Sequence, residues 1–365
     1  MRRISLAILL MIALLVICCA KAATAPESAR AAASSNGLTV VARGLEVPWS
    51  IVFAPDGRMF VTERPGRVRV IEKGQLRTQP LLSLTDVVAN GEAGLMGLAL
   101  HPDFARNHFV YLCYATGDDA LSDVVVRYRE TGASLVEPRK IIQNIPAARF
   151  HAGCRLKFGP DRKLYITTGD ATTRDIAQDL RSLGGKILRV NDDGTVPADN
   201  PFRGSPIWSY GHRNPQGIDW DPKSGLLFET EHGPSGFDGG TGGDEVNIVE
   251  RGRNYGWPAI MHHQTHAGME SPLLEYTPAC APASAAFWRG ELYFGCLRGE
   301  NLHHVVLDPT NRRKVLREEE LFTNLGRVRE VTVGPDGALY FSTSNRDGRG
   351  NPAGEDDRIF RVDGK

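Results

Sequence analysis

The chain has 365 residues, 41% hydrophobic and 24% charged, with 43 basic residues against 43 acidic ones. That composition suits a globular protein with a sizeable core, and the absence of a basic excess argues against a nucleic-acid partner. Glycine at 39 residues and proline at 22 imply many turns, which favours a β architecture.

The N-terminus reads MRRISLAILLMIALLVICCAKAATA. Arg2 and Arg3 precede an apolar run from Ile4 to Cys19, and small residues follow, with cut sites after Ala22 or Ala25. Residues 1–25 therefore read as a secretory signal peptide. An uncleaved membrane anchor is the second reading, but the apolar run falls short of the roughly 20 residues a span needs. Cys18 and Cys19 do not make a good lipoprotein signal, because Ile17 and Cys18 precede them rather than small residues. The expectation is a secreted, periplasmic protein with no stable membrane insertion after cleavage. Residues 26–36 are rich in Ala and Ser and are expected to be flexible. Residues 37–365 are expected to form one domain.

Four cysteines follow the signal: Cys113, Cys154, Cys280 and Cys296. Export permits disulfides, and four cysteines allow three pairings. The modest separation of Cys280 and Cys296 favours that pair, with buried free thiols as the alternative.

One template recurs along the chain: an apolar alternation, a turn rich in Pro, Asp and Gly, and a second alternation. Ser50–Phe53 leads through Pro55-Asp56-Gly57 to Met59–Thr62, and Leu98–Pro102 leads to Phe109–Tyr111. Leu156–Asp161 leads to Leu164–Thr167, and Ile218–Pro222 to Leu226–Phe228. Ala286–Gly290 leads to Leu292–Phe294, and Val331–Gly337 to Leu339–Phe341. Six such units, at spacings of about 45–65 residues, match a six-bladed β-propeller of four-stranded antiparallel blades. A sandwich of this length would not account for six like units. The terminal segments Leu38–Val41 and Arg358–Val362 are both strands, and pairing them within one blade would close the ring and remove an exposed edge. Asp175–Leu183 is the best short helix candidate.

Several turns carry chemistry. His151 opens an apolar strand, and Asp170 ends the hairpin that follows, so in a blade both lie on the same face. A carboxylate beside a histidine fixes its tautomer and raises its basicity. Arg213 and Asn214 sit in a turn, where an Arg fork suits a carboxylate or a developing oxyanion. Arg327 and Arg329 are two apart on a strand and share a face, and Arg298 occupies a comparable late position in the fifth repeat. The carbonyls of the Gly233-Pro234 turn and the Glu245 carboxylate are hard oxygen donors of the kind calcium takes. His262, His263 and His266 lack a carboxylate or Cys at ligand spacing and do not read as a metal site. The Gly239–Gly243 run lacks a βαβ setting, and Gly184-Gly185-Lys186 lacks the spacing of a phosphate loop.

Taken together, the motifs GEAGLMGLALHPDF, HAGCRLKFGPDRKLYITTGD, GGKILRVNDDG, YGHRNPQG, EHGP, GDEVNIV, NYGWP and GRVRE resemble the soluble quinoprotein aldose sugar and glucose dehydrogenases. The resemblance spans roughly residues 38–363. It implies pyrroloquinoline quinone (PQQ) over the central channel, and oxidation of an aldose at its anomeric carbon to the lactone. It implies that His151 is the general base, oriented by Asp170, and that Arg213 and Asn214 contact the quinone oxygens. Arg298, Arg327 and Arg329 would hold the cofactor's carboxylates, and the Gly233 and Pro234 carbonyls a cofactor-bound calcium. Glu245 and the Tyr255 carbonyl resemble a second calcium site. Glu92 departs from the pattern by standing where a cofactor-contacting Gln is expected, and a carboxylate there repels an anion unless it is protonated or paired with a cation. Arg298 replaces an expected Lys, the loop between Pro234 and Asp244 is long, and the His-rich segment after Pro258 is unusual.

The sequence thus reads as a PQQ- and calcium-dependent dehydrogenase with a small sugar substrate and an electron acceptor the residues do not identify. Two other readings use the same propeller. A calcium-dependent lactonase or hydrolase would not need Arg298, Arg327 and Arg329, and a carbohydrate- or protein-binding propeller would need no catalytic His.

Overall fold

The computed structural model describes residues 33–34, 37–117, 120–235, 238 and 240–363. The expected signal peptide lies outside them. Among the described residues, no helix is long and apolar enough to cross a membrane.

Six antiparallel sheets form a ring, as the repeats imply. Their innermost strands are Pro48–Phe53, Leu95–Leu100, Gly153–Phe158, Pro215–Trp220, Pro282–Trp288 and Val328–Val333. They open blades 1 to 6 respectively, and each packs against the next, with Val328–Val333 returning to Pro48–Phe53. The turn template behaves alike in blades 1, 3 and 6. The N–H of Ala54, Gly159 and Gly334 bonds the carbonyl of Arg58, Lys163 and Ala338, four residues on. In each, an aspartate (Asp56, Asp161, Asp336) accepts the backbone N–H two residues later.

The ring closes through its two ends. Leu38–Ala42 pairs antiparallel with Ile359–Val362, with Leu38 opposite Val362 and Val40 opposite Phe360. Blade 6 therefore takes its outer strand from the start of the chain, so opening the ring would break a sheet. Within the stretch expected to be flexible, Ala33 and Ser34 pair with Thr39 and Leu38. The expected Asp175–Leu183 helix is only a 3-10 turn at Arg174–Ala177. The Ala177 carbonyl accepts Gly211 N–H and the buried Lys186 ammonium, so it is not available to continue a helix.

One irregularity recurs in all six blades and positions the site. The pairing of each innermost strand with its neighbour slips near its N-terminal end, between Pro48 and Ser50, Leu95 and Leu98, Gly153 and Leu156, Pro215 and Gly217, Pro282 and Ala285, and Val328 and Val331. Such bulges bend a strand and re-aim its side chains. Antiparallel pairing also places the C-terminal end of each second strand at the same mouth: Glu63 is opposite Pro48, Thr168 opposite Gly153, Glu231 opposite Pro215 and Thr343 opposite Val328. Twelve strand ends thus converge on one face of the ring. Between the blades lie apolar clusters around Trp49, Tyr111, Phe60, Phe228, Phe294 and Phe341, all under 2–3% exposed.

The expected Cys280–Cys296 disulfide is replaced by Cys113–Cys154, whose Cα atoms are 5.8 Å apart, and Cys280 and Cys296 are free. Cys113 is on the second strand of blade 2 and Cys154 on the innermost strand of blade 3. The bond is an inter-blade staple, a neighbourhood that separation along the chain does not reveal. Closing a loop of 41 residues is worth about 4 kcal/mol on the chain-entropy estimate. Replacing Cys113 and Cys154 together by Ala should lower the thermal midpoint by several degrees, and Cys280→Ser should not. Equal midpoints for the double variant and the parent would contradict the staple.

Candidate active site

The twelve strand ends enclose a cavity of about 500 Å³ lined by His151, Arg213, Arg298, Arg327, Arg329 and Glu92, among others. All six are expected from the sequence. Arg64 and Arg349 also line it and are not marked by any sequence pattern. Both sit in glycine-flanked turns, Pro65-Gly66 and Gly348-Arg349-Gly350.

His151 and Asp170 meet as expected. The imidazole Nδ1 is 2.6 Å from Asp170 Oδ1, and both residues are buried. Thr172 N–H also bonds Asp170 Oδ1, and the Trp257 indole N–H bonds Oδ2, so both carboxylate oxygens are held. His151 takes a left-handed backbone (φ 58), an uncommon state for a bulky residue that the surroundings must impose. Its N–H bonds Glu92 Oε2, and its carbonyl faces Gly169, where a Cβ would lie 1.8 Å from it. Only glycine at 169 permits that approach.

Arg213 is engaged more closely than its turn implied. Its Nε donates to Asp238 Oδ2 at 2.8 Å, Nη2 donates to the same oxygen, and Nη1 donates to the His232 carbonyl. Its guanidinium also lies over Trp257, 5.4 Å from the ring centre. Asp238 directly precedes the Gly239–Gly243 run, where the sequence shows no partner for its charge. Arg327 and Arg329 share a second buried carboxylate, Asp347: Arg327 Nε and Nη2 reach it at 2.8 Å and Arg329 Nη2 at 3.4 Å. Burial pushes Arg329 down to about 10. Asp347 opposes that shift, while Arg327 and Arg64 add to it. Burial would raise Asp347, but Arg329 and Arg327 hold it below the usual carboxylate range.

Glu92 has the cation partner that its position demands. Oε1 accepts Arg349 Nη1 at 3.3 Å, and Oε2 accepts His151 N–H and Asn214 Nδ2. Burial works against the charge, yet His232, Arg349 and His151 together hold Glu92 at about 2. Burial also pushes His232 down to about 3, and Arg349 is the cation in ion-pair contact with Glu92. Asn214 Oδ1 accepts Gly153 N–H and Gln216 Nε2, so Asn214 ties blade 4 to the start of the blade 3 inner strand.

The Gly233–Pro234 turn abuts the cavity through Asp244, a lining residue whose Oδ1 accepts Gly233 N–H. A Cβ at Gly233 would lie 1.8 Å from the Gly243 carbonyl. Among the described residues, neither the Gly233 nor the Pro234 carbonyl accepts a hydrogen bond. Glu245 and Tyr255 stand away from the cavity. Glu245 lies opposite Glu231 in the blade 4 sheet, and the Tyr255 ring stacks on His212 at 4.7 Å. The histidine segment does have a carboxylate after all. Glu275 comes within 2.9 Å of His262 and 3.3 Å of His263, brought there by the fourth strand of blade 4 rather than by sequence proximity.

Removing the charge of Asp347 would leave two buried guanidiniums without their shared partner. Asp347→Asn should cost about 3–5 kcal/mol, read as a shift of the denaturant midpoint, and a polycarboxylate such as citrate should restore part of it. A midpoint shift under ~1 kcal/mol would show that the arginines do not depend on Asp347.

The glucose/sorbosone dehydrogenase family matches residues 45–351. The aldose sugar dehydrogenase YliI of Escherichia coli is 34% identical over 87% of this chain and 92% of its own length. Quinoprotein glucose dehydrogenase B of Acinetobacter calcoaceticus is 30% identical over 66% of this chain and 56% of its own. The PQQ-bound aldose sugar dehydrogenase of Streptomyces coelicolor superposes with a TM-score of 0.80 at 36% identity, covering 88% of this chain and 95% of that one. The chain belongs to the glucose/sorbosone dehydrogenase family of oxidoreductases.

Proposed function

We propose that the protein is an exported dehydrogenase that oxidises an aldose at its anomeric carbon to the lactone, using PQQ and calcium. One observation carries this reading: a buried His–Asp pair faces a cavity lined by six arginines, Arg64, Arg213, Arg298, Arg327, Arg329 and Arg349, against three carboxylates, Glu92, Asp244 and Asp347. A surplus of guanidiniums of that kind suits a planar polycarboxylate, which PQQ is. A calcium lactonase has no use for it.

The residues fit the group. Arg298, Arg327 and Arg329 would hold its carboxylates, and Arg213 and Asn214 its quinone oxygens. Glu92 would lie at its edge with charge cancelled by Arg349. The Gly233 and Pro234 carbonyls would hold a calcium, and Glu245 with the Tyr255 carbonyl a second. When bound, PQQ supplies the hydride acceptor and calcium a Lewis acid beside it. The chain's own contribution is proton transfer and positioning. Donation of Nδ1–H to Asp170 makes Nε2 the basic nitrogen, and that atom takes the proton of the anomeric hydroxyl. Asp170, pinned by Trp257 and Thr172, keeps the ring from rotating and stabilises the imidazolium that forms. Arg213, fixed by Asp238, adds a positive charge that cannot swing away.

Apo-protein mixed with PQQ, calcium, an aldose and a redox dye should reduce the dye. Failure across a sugar panel, with no cofactor retained, would end the dehydrogenase reading. His151→Ala should reduce turnover by at least roughly 10³-fold while PQQ stays bound. Loss of binding with no separate catalytic defect would count against the base. Glu92→Gln removes one negative charge from the cavity and should tighten PQQ binding by roughly tenfold, measured by fluorescence titration. A large loss of affinity would mean that the Glu92–Arg349 pair itself shapes the cavity.

A further inference from the structure

We propose that His212, Glu229 and Glu231 form a buried binding site for a divalent ion of the zinc class, at the seam of blades 3 and 4 and apart from the axial cavity. Each offers one ligand atom, and the three atoms lie within 4.8 Å of one another. The residues are 0%, 0% and 3% exposed. Glu229 and Glu231 alternate along Leu227–Glu231 and so share a sheet face. His212 reaches them from the turn after Ile207–Tyr210.

The hydrogen bonds leave lone pairs without donors. His212 Nε2 is bonded to Ser209 Oγ at 2.8 Å, and the ring is clamped against Tyr255. That leaves Nδ1 aimed at Glu231 Oε2, 3.5 Å away, buried and without a hydrogen bond. Glu229 Oε2 accepts Asn247 Nδ2, but its Oε1 is buried and unpartnered, as is Asn247 Oδ1. Glu231 Oε2 accepts Arg213 N–H. Buried acceptors facing each other are costly unless a proton or a cation stands between them.

The donor chemistry selects the ion. One imidazole nitrogen and two carboxylates suit zinc, or cobalt as its spectroscopic substitute. Calcium prefers six to eight oxygens. The second imidazole nitrogen is bonded to Ser209, as ligating histidines are usually anchored. Glu245, proposed above as a calcium ligand, lies opposite Glu231 and Tyr255 stacks on His212, so this site adjoins that one but draws on the His212, Glu229 and Glu231 atoms.

The test uses the full chain, stripped with chelator and titrated with zinc chloride alone. One equivalent should bind and raise the thermal midpoint. His212→Gln and Glu229→Gln should each weaken binding by roughly 100-fold or more. Glu275→Gln, which breaks the surface cluster with His262 and His263, should leave it intact. Cobalt chloride added to the unmodified protein should give the visible bands of a low-coordinate nitrogen/oxygen site, a readout that needs no variant. Three results would each overturn the proposal: no zinc retained with only the spectrum of hydrated cobalt, zinc binding lost in Glu275→Gln but kept in Glu229→Gln, or one-for-one displacement of zinc by calcium.

Discussion

Two buried carboxylates, Asp347 and Asp238, make the axial cavity physically possible. Six arginines around one 500 Å³ space repel one another, and at Arg213, Arg327 and Arg329 burial removes the water that would screen them. Asp347 joins Arg327 to Arg329, and Asp238 joins Arg213 to Arg174. These pairs let the ring hold a concentration of positive charge while empty. They also leave Arg298 and Arg349, both exposed, as the cations nearest solvent. A polyanion entering such a cavity meets fixed guanidiniums whose ordering cost was met on folding, which is the advantage of a preorganised site.

The propeller supplies that fixity through a repeated local device. A slip at the start of each innermost strand turns its first residues toward the axis, and antiparallel pairing brings the end of the second strand to the same mouth. His151 and Asp170 are neighbours for this reason, although 19 residues separate them. The strain at His151 is tolerated because Glu92, Asp170 and the bare backbone of Gly169 hold it from three sides. Blades 1 to 6 all contribute, so integrity of the ring and of the site are one property. The pairing of Leu38–Ala42 with Ile359–Val362 secures both.

Much of this was legible in the chain. The Pro-Asp-Gly turns between alternating segments counted the blades, and the strand character of both ends announced the closure. Strand alternation puts Arg327 and Arg329 on one face, and the resemblance to the quinoprotein sugar dehydrogenases marks His151, which precedes its strand. Neither tells which distant carboxylate meets them. Asp238 and Asp347 lie in turns rich in glycine, where an acid looks solvated, and Glu275 reaches His262 only because a fourth strand folds back. Cys113 and Cys154 were missed for a related reason: adjacent blades are close in space wherever their strands pack, whatever the interval along the chain. His212, Glu229 and Glu231 were hidden because an acid alternating in an apolar strand has the same pattern as an outward-facing one.

If the ring presents His151 and the arginine cluster together to one bound polycarboxylate, a crystal structure of the protein with PQQ and calcium should show density in the axial cavity, with carboxylates against Arg327 and Arg329 and the quinone ring within reach of His151 Nε2. Density bound elsewhere, with the axial cavity empty at saturating PQQ, would contradict that arrangement.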